Sequence, residues 1–179
     1  MKQQLIECVP NFSEGRDLTI IKQITNEIES VDGVKLLDVD PGAATNRTVV
    51  TFVGTPEAVM EAAYKAIVKA GEIIDMSKHK GEHARMGATD VCPLIPVANI
   101  SMEETSQWAV KLAKRVGETT HIPTYLYGAS QPNTKRNVLS IIRTGEYEGF
   151  FEKIKRPEWK PDFGPATYSA RSGATVIGA

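Results

Sequence analysis

The chain has 179 residues, 41% hydrophobic and 24% charged, enough apolar content for a real core in one large domain or a domain with an appendage. Its 21 basic and 22 acidic residues leave a net charge of -1, and the absence of a basic stripe or RNA-binding aromatic motif argues against nucleic acid as a partner. No apolar run approaches the roughly 20 residues of a membrane span, and Met1-Lys2-Gln3-Gln4-Leu5-Ile6-Glu7 lacks the apolar segment of a signal peptide, so a cytoplasmic location is expected.

Leu5-Ile6-Glu7-Cys8-Val9 reads as a short strand stopped by Pro10-Asn11. From about Asp17, Leu18, Ile21, Ile24 and Ile28 recur at the spacing of one helical face. Val34 to Val39 predicts a second strand, ending in a turn at Asp40-Pro41-Gly42. Arg47 to Val53, rich in β-branched residues, predicts a third. Thr55-Pro56-Glu57 then supplies an N-cap, a proline at the first helical position and an acid in the first turn. The helix it opens runs to about Ile74, with Val59, Ala62, Ala63, Ala66, Ile67 and Ala70 inward. Asp90 to Val97 is a fourth strand, whose Pro93 and Pro96 suggest an edge position or a bulge. Cys8 and Cys92, the only cysteines, fall inside strands and read as buried reduced thiols rather than a disulfide or a metal pair.

That order, βαββαβ, is the split βαβ arrangement of the α+β ferredoxin-like class: one antiparallel sheet with both helices on one face. The core unit spans about 3–98 and an extension about 99–179. The extension opens with a capping box, Ser101-Met102-Glu103-Glu104, before a helix that turns Trp108, Ala109, Leu112, Ala113 and Val116 inward. His121 to Gly128 adds a strand, and Asn137 to Arg143 and Glu146 to Ile154 read as short helices separated by Gly145. Pro157 to Tyr168 is irregular, proline-rich and aromatic, as binding loops often are, although aromatics that merely pin a linker would look the same. Gly173 to Ala179 reads as an apolar strand with no polar tail, which suggests a natural continuation that has been cut away or lies on a partner chain.

The chemistry concentrates in Met76-Ser77-Lys78-His79-Lys80-Gly81-Glu82-His83-Ala84-Arg85-Met86-Gly87. This stretch holds two of the three histidines, a carboxylate and three cationic side chains around two glycines, in a loop between a helix and a strand. A solvated charged loop is the plain alternative. His79 and His83, four apart, invite a metal reading, but Gly81 weakens a helix there and no third ligand is evident, so no metal is expected.

Several blocks carry a family likeness: Glu7-Cys8-Val9-Pro10-Asn11-Phe12-Ser13-Glu14-Gly15, Leu36-Leu37-Asp38-Val39-Asp40, Thr45-Asn46-Arg47-Thr48-Val49, Gly81-Glu82-His83, Arg85-Met86-Gly87-Ala88, Asp90-Val91-Cys92-Pro93, Tyr125-Leu126-Tyr127-Gly128 and Pro161-Asp162-Phe163-Gly164-Pro165. With them the chain resembles the N-terminal subdomain of the glutamate formimidoyltransferases, folate-dependent enzymes of histidine breakdown. The resemblance spans nearly the whole chain. It departs locally at Ala84, where family members commonly carry proline.

The resemblance implies two ferredoxin-like subdomains with folate in the groove between them, of which this chain supplies the first. It implies transfer of a formimidoyl group from N-formimidoyl-glutamate to N5 of tetrahydrofolate, the co-substrate. His83 matches the family's catalytic histidine, and the folate stretch maps onto Gly164, Pro165, Ala166, Thr167, Tyr168, Ser169, Ala170, Arg171, Ser172 and Gly173. Small residues there would let a flat pterin approach, with Tyr168 available to stack. Asp40, at a strand end, would orient His83 or stabilise a protonated amidine, unless it only caps a turn. Glu82 could do either job. Arg85, Arg47 and Lys80 are the cations available for substrate carboxylates. A C-terminal subdomain in cis or trans, or a homodimer, would complete the groove; a non-catalytic folate-binding or regulatory half-domain is the alternative.

Overall fold

The computed structural model describes residues 2–179 and contains, among them, one mixed sheet of seven strands and five α-helices. β1 (Leu5–Cys8) and β2 (Asn11–Phe12) share one lane, interrupted at Val9-Pro10. Both pair antiparallel with β4 (Arg47–Gly54) on one side and β5 (Thr89–Ala98) on the other. A proline cannot donate to a ladder, and the interruption is bridged from outside: the Val9 amide donates to Pro93 O, and the Val50 amide to Pro10 O. β3 (Val34–Gly42) flanks β4 antiparallel. On the far side of β5, β7 (Thr175–Gly178) pairs parallel, and β6 (Thr124–Tyr127) pairs parallel with β7. Across the sheet the order is β3, β4, β1/β2, β5, β7, β6.

Three expectations need adjusting. The sheet is mixed rather than wholly antiparallel, because the extension adds β6 and β7 to it instead of packing elsewhere. The turn expected at Asp40-Pro41-Gly42 falls later: Asp40, Pro41 and Gly42 pair with Val49, Thr48 and Arg47, and residues 43–46 make the connection. Pro41 is tolerated because β3 pairs only with β4, so a missing N–H can face away from the ladder. β5 is internal, yet its prolines do mark irregularity. Of β5, only Val91, Cys92 and Pro93 pair with β7, and a bulge lies beside Pro96, where Leu5 pairs with Ala98 but Ile6 with Pro96.

The helices α1 (Leu18–Glu29), α2 (Pro56–Ile73) and α3 (Met102–Thr120) form a layer in which α2 touches both neighbours. Their starts are fixed by side chains: Asp17 accepts from the Thr19 and Ile20 amides, Thr55 from Ala58, and Ser101 with Glu104 forms the expected capping box. Cys8, Val50 and Phe52 from the sheet are buried in one core with Ile24, Ile28, Val59, Ala66 and Ile67. Cys8 and Cys92 meet there with sulfurs 3.5 Å apart, both free thiols. The helices α4 (Leu139–Ile142) and α5 (Glu146–Lys153) are shorter than the sequence suggests. An aromatic of α5 ties it to the sheet: Phe150 meets Tyr125 of β6 at 5.5 Å and stacks on Tyr168 at 5.5 Å. No helix among the described residues is long and apolar enough to cross a membrane.

Candidate functional site

The histidine-bearing loop is held against the 43–46 turn by short, specific contacts. Asn46 sits in the left-handed region, at φ 49, and serves three partners from there. Its Oδ1 accepts from the Gly15 amide at 2.9 Å, its Nδ2 donates to Lys80 O at 3.1 Å, and its backbone carbonyl meets His79 Nε2 at 2.8 Å. Gly81 lies so close to the turn that a Cβ would stand 2.2 Å from Thr45 O, so only glycine fits without displacing backbone. The Glu82 amide donates to Ala44 O at 3.3 Å, and Ser13 Oγ ties down Gly87 O at 2.7 Å.

His79 is structural in this arrangement. Its Nε2 donates to the Asn46 carbonyl, so its Nδ1 is left to accept from Arg85 Nε at 3.0 Å. Burial disfavours its protonated form, and the neighbouring Arg85 charge adds to that, holding its pKa below the ordinary histidine value. With both ring nitrogens used it has no lone pair for a metal. Arg85 in turn grips Glu148 on α5 with two nitrogens, at 2.9 and 2.7 Å, and reaches Glu146 at 3.4 Å and His79 O at 3.1 Å. The bond to Glu148 raises the guanidinium pKa and holds the Glu148 carboxyl below its usual range.

A second cluster lies on the other side of the loop. β5 bulges at Asp90, since Asn11 pairs with Val91 but Phe12 with Thr89. Asp90 is fully buried. Its Oδ2 accepts from Arg47 Nη1 and Arg143 Nη2, each at 2.6 Å, and its Oδ1 from the Met86 amide at 2.9 Å. Arg47 also donates through Nε to Asn11 Oδ1 at 2.9 Å and through Nη1 to Ala84 O at 3.3 Å. Burial lowers the Arg47 pKa, and Asp90 opposes that shift.

His83 is exposed, and its Nδ1 lies 2.7 Å from its neighbour's carbonyl, Ala84 O. A carbonyl only accepts, so Nδ1 carries the proton of the neutral ring and Nε2 keeps a free lone pair. Asp40 is exposed on β3, opposite Val49, which in turn pairs with Asn11. It lies four residues before the Ala44 carbonyl that holds the loop, so Asp40 and His83 share one end of the sheet, although the His83 ring nitrogen contacts Ala84 rather than Asp40. Lys80 and Glu82 are exposed on the same loop, whereas Arg47 and Arg85 are buried behind it.

The stretch 164–173 runs beside this loop. Gly173 bridges to Gly87, the Ala88 amide donates to Ser172 O at 2.8 Å, and Ala174 N to Met86 O at 3.1 Å. Gly164 and Gly173 bracket the stretch at φ +86 and +67, conformations suited to glycine. Tyr168 is buried: its ring packs on Tyr147, Phe150 and Phe151, and its hydroxyl donates to Met86 O at 2.7 Å. Gly164, Ala166, Thr167, Ala170 and Arg171 are exposed, with Pro165 and Ser169 half-buried. Asn11, Asp90, Arg143 and Glu148 join the site without having been singled out from the sequence. Asp90, a lone carboxylate opening a strand of apolar residues, was the one that could have been found.

The site's loop and its flanking stretch lie within a match that covers most of the chain. Residues 5–179 match the family model of the formiminotransferase domain, N-terminal subdomain. The chain is 54% identical over 176 residues to a formimidoyltransferase-cyclodeaminase of Gallus gallus, which covers 98% of this chain and 32% of that protein. It is 47% identical over 177 residues to a glutamate formimidoyltransferase of Thermoplasma acidophilum (98% and 58%), and 40% identical over 176 residues to one of Streptococcus pyogenes serotype M1 (98% and 59%). The chain thus spans from about a third to under two thirds of the length of these relatives. On this match the chain belongs to the formiminotransferase family, as its N-terminal subdomain.

Proposed function

We propose that the protein transfers the formimidoyl group of N-formimidoyl-L-glutamate to N5 of tetrahydrofolate, in histidine degradation and one-carbon metabolism. The observation that carries this reading is His83: an exposed imidazole on a loop clamped from both sides, with its Nε2 lone pair free, within a chain of this family. Attack by N5 on the amidine carbon forms a C–N bond and a tetrahedral intermediate. Collapse breaks the bond to the glutamate nitrogen. N5 gives up a proton and the departing nitrogen takes one, and a single imidazole, able to accept a proton and then return it, serves both steps.

Asp40 is positioned at the same end of the sheet to stabilise the cationic amidine or to orient His83 once substrate is bound. Lys80, exposed, is the cation for a substrate carboxylate, with Arg85 and Arg47 adding positive charge from behind the loop. Gly164 to Gly173 form the folate-facing strip, in which the small exposed residues offer backbone to the pterin and Tyr168 shapes the wall from within its aromatic cluster. Tetrahydrofolate is a co-substrate and no metal takes part. The lanes β3, β4, β1/β2 and β5 constitute a ferredoxin-like unit with residues 99–179 as its extension, and a second subdomain, in cis or trans, or a second copy of the chain, closes the groove. A cytoplasmic location belongs to the same reading.

The test is formimidoyl transfer by the wild-type chain and by His83→Ala, each with and without the C-terminal subdomain of a relative. Activity that appears with the added subdomain and vanishes in His83→Ala supports the reading. Folate binding with no turnover in any mixture leaves a non-catalytic folate-binding half-domain instead.

A further inference from the structure

We infer that Asp90 and Arg47 are positioning residues for His83, selecting through the Ala84 carbonyl which ring nitrogen is free to take a proton. This rests on the role proposed above for His83. Ala84 O receives two donors, His83 Nδ1 at 2.7 Å and Arg47 Nη1 at 3.3 Å, and a carbonyl oxygen has a lone pair for each. The contact with Arg47 fixes the direction of that carbonyl. Arg47 is immobile for its own reasons: three acceptors, Asp90 Oδ2, Asn11 Oδ1 and Ala84 O, arrest its planar fork. Asp90 is fixed by the Met86 amide and Arg143, at a bulge that turns it towards the loop. A path of direct contacts thus runs from a buried carboxylate through a buried guanidinium and one peptide carbonyl to an exposed imidazole.

The selection has a chemical consequence. A neutral imidazole in water favours the tautomer protonated at Nε2, which would present N–H rather than a lone pair outward. Only the Nδ1–H form offers Nε2 as the base, and a histidine held in the wrong tautomer cannot perform the first proton transfer. The remaining contacts of the loop, at His79, Gly81 and Glu82, hold its backbone but do not touch the His83 ring or its acceptor.

The test is nitrogen-15 NMR of the histidine rings of the full chain at about pH 8, above the ordinary histidine pKa of about 6.5, with His83 identified by the signals missing from His83→Gln. The wild-type ring is expected as Nδ1–H with an unprotonated Nε2, opposite to His79, which serves as the internal reference. In Arg47→Gln the His83 signals move towards the Nε2–H form, while in Arg143→Gln, which leaves Arg47 on both Asp90 and Ala84, they stay. With the second subdomain added, kcat in Arg47→Gln falls by about 10- to 100-fold, the range seen when a group orienting a metal-bound histidine is lost, a larger change than any rise in KM from the lost positive charge. A wild-type His83 protonated at Nε2 overturns the inference before any variant is made. An unchanged tautomer in folded Arg47→Gln overturns it, and so do equal changes in the two variants, which would mean general loosening. Should Arg47→Gln fail to fold, Asn11→Ala removes one of the three acceptors arresting Arg47 and is expected to move the same signals by less; unmoved signals overturn the inference. These signals are read in the resting protein, so they stand whether or not the transferase reading survives its own test.

Discussion

Asp90→Asn is the sharpest test of the cluster behind the loop, and its cost can be worked from contacts. The carboxylate is 0% exposed and accepts from two arginines at 2.6 Å and from the Met86 amide at 2.9 Å. Asparagine keeps one acceptor oxygen but turns an NH₂ group towards donors, so two buried guanidinium groups share one neutral acceptor. Removing one partner of a buried ion pair costs about 3–5 kcal/mol, and the surviving acceptor places this variant near about 3 kcal/mol. For a chain of this size each kcal/mol moves the Tm by about 2–4 °C, giving a fall of roughly 6–12 °C. Urea unfolding at pH 7 reads the free energy directly, with an unchanged m-value showing that the unfolded state is comparable. Asp162→Asn is the internal comparison. Asp162 also accepts three bonds, from the Leu126 amide, Gln131 and Arg136, but only one partner is charged and its side chain is 22% exposed. Its expected loss is about 1–2 kcal/mol. A loss below about 1 kcal/mol for Asp90→Asn, or a larger one for Asp162→Asn, would refute the reasoning.

Other consequences follow from the neighbouring contacts. Arg85→Leu strands the Nδ1 and carbonyl of buried His79 and is expected to cost about 2–3 kcal/mol, whereas Glu148→Gln, at a carboxylate 65% exposed, should cost less than about 1 kcal/mol in the same denaturant assay. His79 has a folded pKa below its unfolded value, so the unfolded chain binds more protons. Stability therefore falls as pH drops below about 6.5 and levels off beneath the folded pKa, and a His79→Gln titration followed by Tm should lose that slope. Gly173→Ala combines φ +67 with a Cβ 2.2 Å from Met86 O, and a loss of at least about 1–3 kcal/mol is expected by thermal unfolding. Cys8 has its thiol pKa pushed up by burial and by Cys92, and both thiols are shut away from solvent, so neither cysteine should react with a thiol reagent at pH 8 until the chain is unfolded.

The sequence by itself determined the local structure, because local structure depends on neighbours in the chain. The apolar spacing of Leu18 to Ile28 and of Val59 to Ala70, the caps at Asp17, Thr55 and Ser101, and the stop at Pro10 all act within a few residues. The loop around His83 was legible for the same reason, as a dense run of titratable groups between two elements. Tertiary structure alone decided what those groups do. His79 and His83 look alike in sequence, yet one is buried with both ring nitrogens in use and the other is exposed with one nitrogen free. That difference comes from Asn46 and Arg85 at one ring and Ala84 at the other. Arg47 and Arg85 read as cations for a ligand, but partners 43 and 63 residues away, Asp90 and Glu148, engage them inside the protein. Tyr168 reads as a free ring, but α5 and Met86 O claim it. Strands β6 and β7 were legible as strands, but their parallel pairing into the sheet was out of reach for the same cause: a strand's partner is set by long-range register and burial, which no short window of sequence contains.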